Sequence, residues 1–163
     1  MRVMGIDPGT IVMGYGVVDS RDDGFSLIKY GVFKPQERSP IGERLVFLYR
    51  GLVEVIEQYR PQALAVEQPF VAKNARSAFA LGRAQAIAFL AAAERGLSCN
   101  EYTPAEIKQR VANYGASSKE QIQQMVMLQL GIQEAPQPSD AADALAVALC
   151  HLQETHIQNL LNR

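Results

Sequence analysis

At 163 residues, with 48% hydrophobic and 20% charged side chains, the chain has the size and composition of one folded domain with a full core, which excludes a disordered or low-complexity protein. A formal net charge of -1 and a pI near 6.1 exclude a uniformly basic surface, so any nucleic-acid contact has to come from a local basic strip. Cys99 and Cys150 lack metal spacing and read as free buried thiols of a reducing compartment. No signal peptide is recognisable, and the apolar run from Ala86 to Ala93 is too short to span a bilayer, so the expected location is the cytoplasm, with no membrane contact.

In chain order, Arg2–Ile6, Gly14–Asp19 and Ser26–Lys34 read as strands, and Arg21-Asp22-Asp23-Gly24 makes a hairpin turn between the second and third. Between the first two, Pro8 and Gly9 suit the centres of a type II turn, which predicts positive φ at Gly9. Helical periodicity holds from Ile41 to Tyr59, with Leu45, Leu48, Leu52, Val55, Ile56 and Tyr59 on one face. Ala63–Val66 has no alternation and reads as a strand buried on both faces. An alanine-rich helix follows from Asn74 to Arg95, closed by Gly96. Its Phe79 and Phe89 are assigned to the core. Ser98–Tyr102 is a fifth strand. Thr103-Pro104-Ala105-Glu106 has an N-cap, a proline at the first helical position and a capping-box glutamate, and Ser117-Ser118-Lys119-Glu120 repeats the signature for a helix ending at Gly131. The last helix is expected from Asp140 to about Glu154, with Ser139 as its N-cap.

Three antiparallel strands followed by β/α units define an α/β fold, a mixed five-stranded sheet flanked by helices, within a single domain spanning residues 1–163. A right-handed crossover lays the Ala63 strand parallel to the first one. Asp7 and Glu67, each the residue at which an apolar strand stops, then emerge about 5 Å apart if the two strands are neighbours. Asp140 and Asp143 project from one face at the start of the last helix, where the helix dipole favours their ionised form. Behind them, Ala141, Ala144, Leu145, Ala148 and Leu149 form a small-residue face able to lie close to a sheet. Taken singly, each acid is an ordinary turn opener or helix-start residue. As a set they repel one another unless a cation neutralises them, and oxygen-only ligands select Mg²⁺, with Mn²⁺ able to substitute. Carboxylate-held Mg²⁺ generally acts on phosphates, which points to phosphodiester hydrolysis.

Gly5-Ile6-Asp7-Pro8-Gly9-Thr10 with Gly14-Tyr15-Gly16-Val17, Val66-Glu67-Gln68-Pro69-Phe70 with Ala72-Lys73-Asn74, Leu81-Gly82-Arg83-Ala84, and Asp140-Ala141-Ala142-Asp143-Ala144-Leu145-Ala146 together resemble the RuvC family of bacterial Holliday junction resolvases, over essentially the whole chain. The resemblance implies a ribonuclease H-like fold and a homodimer. It implies an endonuclease that nicks two strands of a four-way DNA junction symmetrically, acting in recombination and repair beside the RuvA and RuvB branch-migration proteins. It also carries the family's metal-binding carboxylates onto Asp7, Glu67, Asp140 and Asp143, and an aromatic that helps open the junction onto Phe70.

Candidate DNA contacts are Lys73, Arg76 and Arg83 on one flank of the second long helix, and Lys108, Arg110 and Lys119 near the starts of later helices. Of these, Lys108 and Lys119 resemble the family's basic residues beside the active site, and Lys119 is a candidate proton carrier. His151 and His156 are assigned surface or packing roles, with approach to the site as the alternative for His151, two turns from Asp143. A strand ending in Asp-x-Gly-Thr also resembles the phosphate loop of actin-like ATPases, but those need two such domains. A nuclease acting on RNA or RNA–DNA hybrids is disfavoured by the Glu67–Phe70 loop and the Asp140/Asp143 pair. A junction-binding module without catalysis is disfavoured by four intact carboxylates.

Overall fold

The structure, a computed structural model, describes residues 1–68 and 74–162. Strands β1 (Arg2–Asp7), β2 (Met13–Arg21) and β3 (Gly24–Phe33) form an antiparallel meander, each running a residue or more past its expected end on at least one side. Helix α1 (Ile41–Tyr59) has the predicted bounds and stops at Arg60, which takes the left-handed conformation at φ 50° just before Pro61. Strand β4 (Ala63–Glu67) crosses over to lie parallel to β1, and β5 (Ser98–Tyr102) lies parallel to β4 on its far side. The sheet order is therefore β3-β2-β1-β4-β5, with β1 at its centre, the mixed arrangement of a ribonuclease H-like fold.

Strand parity divides the core into two layers. Met4 and Ile6 of β1, with Leu64 and Val66 of β4, face α1 and α2 (Ala75–Ala93), where they pack on Leu48, Leu52, Ala84 and Ala88. Val3 of β1 and Ala63 and Ala65 of β4 face the opposite layer, made by α3 (Pro104–Ala112), α4 (Lys119–Leu130) and α5 (Ser139–Leu161). Burying each leucine or isoleucine of these layers contributes about 1.5–3 kcal/mol. Since side chains alternate along a strand, Asp7 and Glu67 share a face with Val3 and Ala65, and that face meets α5.

The approach of α5 to the sheet is closer than ordinary side chains permit. A Cβ placed on Gly5 would stand 2.0 Å from the Ala144 carbonyl oxygen, one on Gly14 2.0 Å from that of Asp140, and one on Gly16 2.5 Å from Leu145. Two rows of small residues, glycines on β1 and β2 and alanines on α5, thus let the backbones touch.

Several local expectations are corrected. Gly9 does not adopt positive φ, which among the described glycines occurs at Gly24, Gly96 and Gly131. Its lack of a side chain is needed instead because a Cβ would lie 2.1 Å from the Val12 carbonyl oxygen, so the type II turn is replaced by an open bend. Ser118 rather than Ser117 caps α4, closing a capping box with Gln121, while Ser117 Oγ donates to the Tyr114 carbonyl at 2.6 Å. Ser139 is the first residue of α5 and Pro138 its N-cap, without a side-chain cap bond, and the helix runs on past Glu154 to Leu161. Helix α2 stops at Ala93, with Asn74 as its cap. Phe79 is not core: it is 72% exposed, whereas Phe89 packs against the α1/α2 layer. The capping box predicted at Thr103 and Glu106 is present. Among the described residues no helix is long and apolar enough to cross a membrane.

Candidate active site

The parallel register pairs Ile6 with Val66, so one step further Asp7 and Glu67 leave adjacent strands at the same end of the sheet and on the same face. The start of α5 is brought over that end by the glycine contacts, Gly14 receiving the Asp140 backbone itself, and this sets Asp140 and Asp143 beside the two strand-end acids. All four are partly buried.

The electrostatics record the crowding. Burial first, then the neighbouring charges of Glu67, Asp143 and Asp140, push the Asp7 carboxyl up to about 8, against a smaller opposing pull from Lys119. Glu67 is also raised, mainly by burial and by Asp143, while Lys119, a hydrogen bond with Asp7, and Lys108 hold it down. Lys119, the first residue of α4, places Nζ 3.0 Å from Asp143 Oδ2, and its own pKa is raised chiefly by that bond. Lys108 and Lys119 line a cleft of about 250 Å³ that also takes in Glu67 and Asp143.

A hard divalent cation fits this donor set by its chemistry: four carboxylates, one held protonated to unusually high pH by burial and by its neighbours, and no nitrogen or sulfur ligand in the set. The four side chains stand near one another without converging on a single point. Among the described residues no three His, Cys, Asp or Glu side chains form a ready metal cage, and the Lys119 ammonium sits on Asp143.

Of the eleven residues singled out as site candidates, the structure brings together six: the four acids, Lys119, and Lys108 at the rim of the cleft. Arg76 and Arg83 lie two turns apart on α2, both exposed. Phe70 and Lys73 fall outside the described residues. Arg110 is not at a helix start: it lies in the last turn of α3 and is ion-paired with Glu154, away from the acids. His151 is buried, 2.7 Å through Nδ1 from the Tyr102 hydroxyl, with its pKa lowered by burial, which is a packing role. Cys150 is buried and Cys99 partly so, and both are free. Two contributors were not foreseen. The glycines Gly5, Gly14 and Gly16 were legible only as the complement of the small-residue face on α5. Arg44, whose Nη1 lies 3.4 Å from the Thr10 carbonyl oxygen beside the site, carried no signal beyond a polar position on an amphipathic helix.

A ribonuclease H-like sheet with acids at the ends of its two central parallel strands and on the helix above them defines the class of nucleases that act on phosphodiesters with divalent cations. Residues 3–151 match the family described as crossover junction endodeoxyribonuclease RuvC. A protein of that name from Dehalococcoides mccartyi is 55% identical over 163 residues, covering 100% of this chain and 99% of the relative. The structure of Thermus thermophilus RuvC superposes with a TM-score of 0.91 at 36% identity, covering 97% of both chains. That of T. thermophilus RuvC in complex with a Holliday junction substrate gives 0.92, again at 36% identity, over 97% of this chain and 96% of the other. The chain belongs to the RuvC family of crossover junction endodeoxyribonucleases.

Proposed function

We propose that Asp7, Glu67, Asp140 and Asp143 are the catalytic and metal-binding residues of this nuclease, that Mg²⁺ is the ion they hold, with Mn²⁺ able to replace it, and that residues 1–163 act as one nuclease domain. The chain is an endodeoxyribonuclease that resolves Holliday junctions in recombination and repair, and its family is metal-dependent. The observation that carries the assignment of the site is the meeting of four carboxylates from β1, β4 and α5 at one end of the sheet, with the Asp7 carboxyl raised to about 8 by burial and by its neighbours.

A divalent cation bound there supplies charge neutralisation to the phosphate and makes a water more acidic. The chain's own residues do the rest. Asp7 and Glu67, on rigid central strands, would hold the cation that offsets the charge of the reacting phosphodiester. Asp140 and Asp143, on a helix seated against glycines, close the ligand set. Lys119, charged at neutral pH, leaves Asp143 as the site fills and puts its ammonium toward the phosphate, where it can also carry a proton. Lys108 lines the same cleft. Arg76 and Arg83 extend the contact with the junction along α2, and Lys73 and Phe70, which the sequence assigns to the same contact, lie outside the described residues.

Symmetric cutting of two strands needs two such sites, and we read the partner as a second copy of this chain. Phe79, 72% exposed, stands beside a shallow hollow of Ala75, Ala78, Gly82 and Ala86 on α2 with Arg83 at its edge, and Val46 and Phe47 of α1 are each about half exposed in the same layer. That apolar surface supports a homodimer through the layer remote from the acids. Work beside RuvA and RuvB is carried by family membership.

The test is an end-labelled synthetic four-way junction beside a linear duplex of the same sequence, each with Mg²⁺, Mn²⁺ or EDTA. Paired, ligatable nicks on the junction alone, absent in EDTA, are expected. Equal cutting of the duplex would overturn junction selectivity, and cutting in EDTA would overturn the metal site.

A further inference from the structure

Three arginines are tied to acids: Arg2 to Asp19, Arg95 to Glu57, and Arg110 to Glu154. Arg44 is not. Among the described residues its guanidinium makes one hydrogen bond, from Nη1 to the Thr10 carbonyl oxygen at 3.4 Å, the outer edge of the useful range. Its Nε is buried with no acceptor among the described residues. A buried N–H without a partner is a costly arrangement, and the bond that holds the head there is a weak one.

The place of Arg44 follows from the topology. β3 runs parallel to β1 and ends at Phe33, which pairs with Met13, one residue beyond the Asp7–Gly14 pair. The chain therefore enters α1 at the Asp7 end of the sheet, and Arg44 in the first turns of α1 reaches Thr10, three residues after Asp7, in the bend that leads to β2. Lys34 and Arg38 are exposed on the segment leading into α1, with Glu37 and Glu43 exposed among them.

We propose that Arg44 is a phosphate-binding residue for the four-way junction, parked on the Thr10 carbonyl in the free protein and transferred to a backbone phosphate of the bound DNA. The Nε–Nη2 edge, which holds no partner among the described residues, is the fork that matches two phosphate oxygens in a bidentate pair. Exchanging one long bond to a carbonyl for such a pair satisfies Nε and releases the bend that follows Asp7. The inference rests on reading the chain as a junction nuclease with Asp7 in its site. It adds a contact on the α1 side of the acids, across from Lys108 and Lys119.

The test measures binding of a fluorescent four-way junction in EDTA, so that nothing is cut, by wild type, Arg44→Gln and Arg44→Lys over a salt series from about 50 to 200 mM. Arg44→Gln is expected to bind about tenfold more weakly at the upper end, with a salt slope smaller by about one. Arg44→Lys, which keeps the charge and loses the fork, is expected to keep the slope and bind a few-fold more weakly. Wild-type affinity and slope in Arg44→Gln would overturn the proposal. So would equal weakening in both variants with neither slope changed, the mark of a purely structural role. Should the glutamine variant not fold, wild-type affinity in Arg44→Lys overturns the bidentate contact. Failure of the wild type itself to bind the junction strikes the functional reading instead, and is told apart because the variants then have no reference to fall from.

Discussion

For Asp7, proposed above as a catalytic and metal-binding residue, ionisation gives opposite answers for stability and for metal binding. The folded-state pKa of about 8 lies well above that of an unfolded aspartate, so the stability this group contributes is complete below about pH 4 and is lost as pH rises through 8. In EDTA, Asp7→Asn should therefore melt higher than wild type, with a gap that widens from pH 4 to pH 8 and then levels off, each 1 kcal/mol appearing as about 2–4 °C in Tm. Thermal melts at several pH values check this. The same variant should bind a four-way junction and fail to cut it, and undiminished cleavage would remove Asp7 from the site. Conversely, a cation must displace the Asp7 proton, so the metal concentration giving half-maximal cleavage should fall as pH rises from 6 to 9. A flat dependence in a metal titration at each pH would contradict the assignment. The acids were readable from sequence because each ends an apolar run or opens a helix. Gly9 was readable as a necessary glycine but for another reason, since sequence shows the missing side chain without showing whether torsion or clearance requires it.

Among the elements, α1 could be placed to the residue because its apolar face and Pro61 leave no ambiguity, whereas α4 was displaced by one. Ser117 and Ser118 are neighbours, followed by Glu120 and Gln121, so two overlapping boxes are written into the chain, and packing chooses the second. Ser118→Ala should cost about 1 kcal/mol and Glu120→Ala much less, measurable by urea denaturation. The seating of α5 is less forgiving. Gly14→Ala has to move the backbone of Asp140, and Gly5→Ala that of Ala144, so each should destabilise by roughly 3 kcal/mol or more, in the range of an overpacked core. Soluble variants with wild-type denaturation midpoints would show that the helix can slide. The full length of α5 was not legible because the capping signals lie only at its start, and the run to Leu161 carries neither glycine nor proline until it ends.

For the whole molecule, the order of the sheet and its two layers follow from the strand pattern, but which surface stays bare does not. Phe79 lies in an alanine-rich helix whose pattern suits burial on any side, and only the assembled fold shows that nothing among the described residues covers it. Phe79→Asp should leave the fold intact and move a dimer to a monomer in sedimentation. On the junction it should replace paired nicks by single ones, since each monomer brings one set of acids. A Phe79→Asp protein that sediments as a dimer would place the contact elsewhere.

The two-layer core has a consequence for how the protein can change. β1 and β4 send even-numbered residues to one layer and odd-numbered residues to the other, so the acids and the bare α1/α2 surface hang from opposite sides of a single wall. Substitutions at exposed apolar positions of α1 and α2 such as Val46, Phe47 and Phe79, with Arg44, Arg76 and Arg83 kept, can alter what the molecule docks to while the acids on the other side are inherited unchanged. A designer wishing to retarget this nuclease has, in the same division, apolar positions to redraw on one side and acids to leave alone on the other.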